Sequence, residues 1–268
     1  MDILLNIIYL IATVTFVVGL KNLGHPETAK KGNATAAFGM GLAIFGAIFL
    51  SKGEVSLLIY GLIALALLVG GVIGWLIAVK VEMTKMPELV SLFNGFGGAS
   101  AALIALVEFG NITSATEATV FATIISGVVI GAITFSGSLI AWGKLNGSVK
   151  SVVKIPQYNL VNNLFFVAII AAAVYMVAMG IDGELFAYTL LAAGLVYGIL
   201  FVLPIGGADM PVVISLLNSL TGIAAAITGI LYDNMVMLVG GILVGSAGII
   251  LTVAMCKAMN RTLGSVIF

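Results

Sequence analysis

The chain has 268 residues, of which 62% are hydrophobic and 8% charged, with no net charge and a mean hydropathy of +1.26. Soluble domains carry about 25% charged residues, so this composition excludes a water-soluble fold and leaves an integral membrane protein. Long all-apolar runs favour helices over a β-barrel, whose strands would alternate in polarity. The lone cysteine, Cys256, rules out an intrachain disulfide.

A spanning helix needs about 20 mainly apolar residues. Nine segments qualify, at 3–20, 34–51, 55–79, 87–108, 118–142, 158–180, 185–204, 211–231 and 235–256. The first is read as a span rather than a cleaved signal, because Asp2 stands where a signal would carry positive charge and no small-residue cleavage site precedes Lys21. The first loop contains GHPETAKKG, with the single histidine, His25. The 33 glycines, with many Ala and Ser, suit a tightly packed helical bundle. The whole chain reads as one transmembrane domain, 1–268, with no soluble domain.

The basic residues set an orientation. Lys21, Lys30, Lys31, Lys80, Lys85, Lys144, Lys150, Lys154, Lys257 and Arg261 fall on one side, and Lys52 alone on the other. Positive charge is retained inside, so the C-terminus is expected in the cytoplasm and the N-terminus outside. Glu54, Glu108, Glu117, Asp182, Glu184 and Asp233 collect in the outside loops.

Two stretches of the chain resemble each other. MPELVSLFNGFGGASAA at 86–102 and MPVVISLLNSLTGIAAA at 210–226 agree at Met, Pro, Ser, Leu, Asn, Gly, Ala and Ala, and the following helices end in LIAWGKLNG and TVAMCKAMN. The copies start an even number of spans apart. The expectation is therefore a parallel repeat of three helices, spans 3–5 and 7–9, about an axis along the membrane normal.

Pro87 and Pro211 mark helix starts, where a missing amide proton costs nothing. Asp209 is placed to cap the eighth helix and Glu88 lies in the first turn of the fourth, both at the positive end of a helix dipole. Asn94 and Asn218 follow the prolines by seven residues, about 10 Å along a helix at 1.5 Å per residue, which is inside the hydrocarbon. Ser91 and Ser215 precede them by one turn; Gly98 and Gly222 follow by one, then Ala102 and Ala226. Such a stripe serves either as interhelical glue or as a hydrated polar path. Thr134, Ser136 and Ser138 in the fifth span, Ser246 in the ninth, and Asn159, Asn162 and Asn163 at the start of the sixth add polar groups. No span contains a mid-depth Asp, Glu, Lys, Arg or His, and no nucleotide fingerprint, metal cluster or nucleophile–base set is visible. On these grounds transporter, channel and membrane subunit of a larger machine all remain open.

KVEMTKMPELV at 80–90, FSGSLIAWGKL at 135–145, GGADMPVVISLLNS at 206–219 and VGSAG…MCKAMNR ending at 261 narrow the choice. Over essentially its whole length the chain resembles the membrane part of the β subunit of proton-translocating NAD(P) transhydrogenase. The resemblance implies a bacterial plasma-membrane enzyme that couples hydride transfer from NADH to NADP⁺ with inward proton movement. It implies NAD(H) bound by an α subunit, NADP(H) bound by a separate nucleotide domain, no cofactor and no nucleic acid in this chain, and a dimer of the whole enzyme in the lipid bilayer. The chain ends at MNRTLGSVIF, where the family would run on into the NADP(H) domain, so by itself it is expected not to bind NADP(H).

The same resemblance assigns residues. Asn94 falls where some members carry a proton-relaying histidine; others have Asn there and a histidine on the second helix, and span 34–51 has none here. Ser138, Asn218 and Ser246 match positions implicated in the channel; Ser91 and Ser215, one turn from the asparagines on the same face, are expected on that path from the stripe itself rather than from the resemblance. Asp209 matches an acid of the cytoplasmic gate, with Glu88 the second expected gating acid. The competing expectation is a secondary transporter or channel with a solute site at the repeat interface.

Overall fold

A computed structural model describes residues 2–50, 55–112, 116–149 and 157–264. Lys52, Glu54, Lys150 and Lys154, used above for orientation, lie outside the described residues. Among those described there are nine α-helices and no strand: α1 (Asp2–Leu23), α2 (Pro26–Phe49), α3 (Leu57–Lys80), α4 (Met86–Phe109), α5 (Ala118–Leu145), α6 (Tyr158–Met179), α7 (Glu184–Val202), α8 (Met210–Leu231) and α9 (Met235–Ala258). All nine are long and apolar enough to cross a membrane. Short 3-10 turns, Met83–Lys85 and Gly207–Asp209, lead into α4 and α8.

Local chemistry accounts for the helix ends. Pro26, Pro87 and Pro211 sit in the first turns of α2, α4 and α8, where the amides lack helical partners anyway. Ser56 and Asn234 cap α3 and α9, accepting from the Ile59 and Met237 amides. Gly180 ends α6 in the left-handed region at φ 61°, which its missing Cβ permits.

One boundary departs from expectation. The loop foreseen over 21–33 shrinks to a turn at Gly24–His25, and α2 begins at Pro26 rather than 34. The apolar window measures the stretch that can sit in hydrocarbon. PETAKKGN continues the helix beyond that window, because Pro26 and Glu27 suit a first turn and Ala and Lys favour helix. Thr28 fastens the turn by donating to the Asn22 carbonyl at 2.7 Å.

The chain forms two compact units, Met1–Met83 and Thr84–Phe268. In the first, α1 and α2 form a hairpin seated on small residues: a methyl group at Gly32 would lie 2.7 Å from the Gly19 carbonyl oxygen. Helix α3 buries none of its residues, and Leu57, Leu68 and Trp75 point outward, as suits a helix whose solvent is lipid.

In the second unit α5 is the hub, packed against α4, α6, α7 and α8, while α9 lies on α8 and α6 also touches α7. The α4–α5 and α8–α9 pairs each meet backbone to backbone. A methyl group at Gly131 would stand 2.6 Å from the Ala102 nitrogen, and one at Gly241 2.4 Å from the Ala226 nitrogen. In both hairpins the serine one turn before the asparagine donates to a carbonyl of the partner helix, Ser91 to Ser138 and Ser215 to Gly248. The third members of the expected triplets do not extend this correspondence, since α3 is unburied and α7 buries one face.

Candidate functional site

The polar centre is built on the α4–α5 contact. Asn94 is eight residues into α4, about 12 Å from its start. Small residues at Gly95 and Gly98 let α5 approach that face. Ser138, on α5, sits opposite. The Asn94 Nδ2 donates to Ser138 Oγ at 2.9 Å, and Ser91 Oγ donates to the Ser138 carbonyl at 2.9 Å. Ser138 is 1% exposed and Asn94 7%. The second end of the Asn94 amide is different: its Oδ1 is fully buried and accepts no hydrogen bond from protein. A buried acceptor left bare costs about 1–3 kcal/mol, whereas a water held against it recovers most of that.

Helix α8 faces the same level. Gly97 on α4 and Thr221 on α8 come together, with a methyl group at Gly97 falling 3.0 Å from Thr221 Cγ2. Asn94 and Asn218 each lie three residues before this contact. Asn218 is half-buried, and its amide has no hydrogen-bond partner among the described residues. Two amides thus lie on adjoining helices at one level, the first with a buried acceptor that no protein group satisfies and the second without a protein partner among the described residues.

The remaining expected path residues divide. Ser91 and Ser215 spend their hydroxyls on partner-helix carbonyls, and Ser219, which the sequence did not single out, donates to the Gly245 carbonyl at 2.8 Å. All three act as interhelical bonds. Thr134 and Ser136 bond back to Ile130 and Ala132 in their own helix. Ser246 is exposed on α9, beside a groove of about 280 Å³ lined by Ile223, Ile227 and Ile242, and is not brought together with the amides. Asn162, at the start of α6, is 1% exposed with neither amide atom in a normal hydrogen bond; the Tyr197 phenol is the polar group in its range.

The charged groups gather at the ends of the helices. Asp209 holds the N-cap position of α8, but its side chain does not cap. The residue belongs to the preceding 3-10 turn, with φ −92° and ψ −4° rather than the extended backbone that aims a cap at the N2 and N3 amides. Its Oδ2 instead pairs with Arg261 Nη1 at 2.8 Å, a charge-assisted bond stronger than one to a neutral amide. Glu88 is half-buried in the first turn of α4 and is not joined to this pair. At the same end Lys144, only 8% exposed, extends Nζ to the carbonyls of Ile205, at 2.7 Å, and Leu203. At the opposite end the Tyr232 hydroxyl donates to Glu108 Oε1 at 2.7 Å, joining α8 to α4. Burial and this carboxylate push the Tyr232 phenol up to about 12. His25 is exposed and Cys256 is buried and unpaired. No group of three or more His, Cys, Asp or Glu that would hold a metal occurs among the described residues.

These features define a multi-pass helical membrane protein with an uncharged polar centre and with bonded charged groups, among them Lys144, Glu108 and the Asp209–Arg261 pair, at the helix ends. Comparison with known sequences makes the class particular. Residues 5–268 match the profile of the NAD(P) transhydrogenase beta subunit, and two Rhodospirillum rubrum sequences named NAD(P) transhydrogenase subunit beta are each 39% identical over 267 residues, 97% of this chain. The chain belongs to the NAD(P) transhydrogenase beta subunit family. It spans 56% of the length of those relatives.

Proposed function

We propose that this chain is the proton-conducting membrane domain of a proton-translocating NAD(P) transhydrogenase. In this reading hydride passes from NADH to NADP⁺ in nucleotide-binding domains outside the chain. An α subunit brings NAD(H) and membrane helices of its own, and an NADP(H)-binding domain docks on the end that bears Asp209. The basic end faces the cytoplasm of a bacterial cell and the N-terminus faces out, an orientation that the distribution of lysines supports. The whole enzyme is a dimer.

The observation that carries the reading is the bare, buried Oδ1 of Asn94 on α4, with an unpartnered Asn218 at the same level of the adjoining α8. An amide does not titrate near neutral pH, so neither residue stores the proton. Each presents both a donor and an acceptor, which holds and orients water so that protons hop along the hydrogen-bonded file. Ser138 fixes the Asn94 amide by accepting from Nδ2, which leaves Oδ1 as the end free to take a water of that file. Asp209 and Arg261 form a pair that a docked nucleotide domain opens or closes by competing for either charge. Glu88, in the first turn of α4, adds negative charge at the same mouth.

The test is the assembled enzyme in proteoliposomes, carrying Asn94→Leu or Asn218→Leu. Leucine keeps the volume and removes the water ligand. Proton-coupled transhydrogenation is expected to fall about tenfold or more in each, equivalent to about 1.4 kcal/mol in the barrier. Unchanged coupling in both variants would reject the path. Uptake of a small solute by the chain alone would favour the transporter reading.

A further inference from the structure

Lys144 is the one charged side chain that the described residues bury. It lies in the last turn of α5, yet it does not reach for the membrane surface as a lysine at a helix end usually does. Its ammonium crosses to α7 and binds two carbonyls, Leu203 at the α7 C-cap and Ile205 in the connection beyond. A cation there meets both the free carbonyls and the negative end of the α7 dipole. The connection runs from Leu203 to Asp209 through Pro204, Gly206 and Gly207. Its far end is held by Arg261, whose own amide is fixed to the Cys256 carbonyl at 2.9 Å. So this short, glycine-bearing connection is clamped at one end by a cation from α5 and at the other by a cation from the end of α9. Lys144 also lies six residues after Ser138 on the same helix, about 9 Å along its axis. Ser138 is the residue that fixes Asn94.

We propose that Lys144 is a positioning residue that couples the Asp209-bearing connection to the Asn94–Ser138 pair, so that a change of state at the nucleotide-domain end is passed along α5 to the proton path. The proposal rests on the function proposed above. When the Asp209–Arg261 pair changes, the connection is pulled or released. Lys144 transfers that displacement to α5 because its bonds to Leu203 and Ile205 are to backbone, which moves with the chain. Helix α5 is rigid and packed on four neighbours, so a shift or rotation at Lys144 is felt at Ser138 rather than absorbed on the way.

The experiment compares Lys144→Met and Lys144→Arg in the assembled enzyme, with Ala208→Cys as a reporter. Ala208 is exposed in the connection, whereas the native Cys256 is buried. In Lys144→Met the proton-coupled kcat is expected to fall about tenfold with the KM for NADP(H) unchanged, and Lys144→Arg to recover to within about twofold, since Arg keeps the charge and the donors. Maleimide labelling of Ala208→Cys should depend on NADP(H) in the parent and lose that dependence in Lys144→Met. Coupled turnover within twofold of the parent, or labelling still governed by NADP(H), overturns the role of Lys144. Should Lys144→Met fail to assemble, Lys144→Gln, which has no charge and a shorter reach, is held to the same criteria. The two readings fail separately. Intact coupling in the Asn94 and Asn218 variants removes the proton path while the labelling still reports on Lys144, whereas disabled asparagine variants beside an unaffected Lys144→Met remove the strut alone.

Discussion

At Asn94 one side chain has two ends in different company. Its Nδ2 is satisfied by Ser138 and its Oδ1 by nothing in the protein. That asymmetry makes Ser138 the one protein partner of the Asn94 amide among the described residues. Ser138→Ala would leave a buried N–H donor without its acceptor, at a cost of about 1–3 kcal/mol. We expect a lower thermal midpoint in detergent for Ser138→Ala, and no shift for Ser246→Ala, whose hydroxyl is exposed on α9. Equal midpoints for the two variants would place Ser138 outside the network. Residue type and depth were legible in the sequence at Asn94, Asn218 and Ser138. What each side chain bonds was not, because the partner is 44 residues away for Asn94 and 26 for Ser219. For Asp209, a helix-start position suggested a cap, and the backbone angles of the 3-10 turn gave the carboxylate to Arg261 instead.

Helices here hold together by shape, since lipid tails are as apolar as leucine and offer no hydrophobic drive between spans. Hairpin α8–α9 shows the consequence. Gly222, Gly241 and Gly245 bring the two backbones into contact, with Ser215 and Ser219 bonding across the seam. Gly241→Ala would place a methyl group 2.4 Å from the Ala226 nitrogen. The helices must then part, at a cost of about 1–3 kcal/mol, and the serine bonds stretch with them. Gly61 on α3 has no atom within 4 Å of the same added methyl, and Ala there restricts the unfolded chain and favours helix. Thermal unfolding should therefore fall for Gly241→Ala and hold or rise for Gly61→Ala; the reverse order would contradict the packing. The starts of α4 and α8 were readable from Pro87 and Pro211, and that of α9 from its apolar run, while the Asn234 cap came only with the structure. The start of α2 was not readable, because its first two turns are helical without being apolar.

Across the second unit, polar contacts pin the bundle at both ends and leave its middle to packing and to the two amides. Lys144 and the Asp209–Arg261 pair hold one end, and Tyr232 with Glu108 holds the other. The latter contact has a pH signature. The Tyr232 phenol is raised from its ordinary 10.0 to about 12, so the folded state favours the protonated form. Its contribution is complete below pH 10 and is lost as the pH rises through about 12. The unfolding midpoint of the parent should drop between those values, and Tyr232→Phe should lack that step while being less stable at neutral pH. An identical alkaline profile in both would remove the contact from the account.

Composition, run length and the placement of lysines were enough to determine an all-helical protein with nine membrane-length spans, and the motifs around Pro87, Asp209 and Cys256 were enough for the family. These properties are local: whether a segment enters hydrocarbon depends on its own side chains. The tertiary structure decided which face of each span meets which neighbour. It turned Ser246 outward, buried Lys144 against α7, and set Asn94 and Asn218 one turn from the same α4–α8 contact. Nine apolar helices of similar composition have no pattern of polarity to choose their partners, so the choice falls to backbone-to-backbone fit at glycine and to hydrogen bonds between residues far apart in the chain.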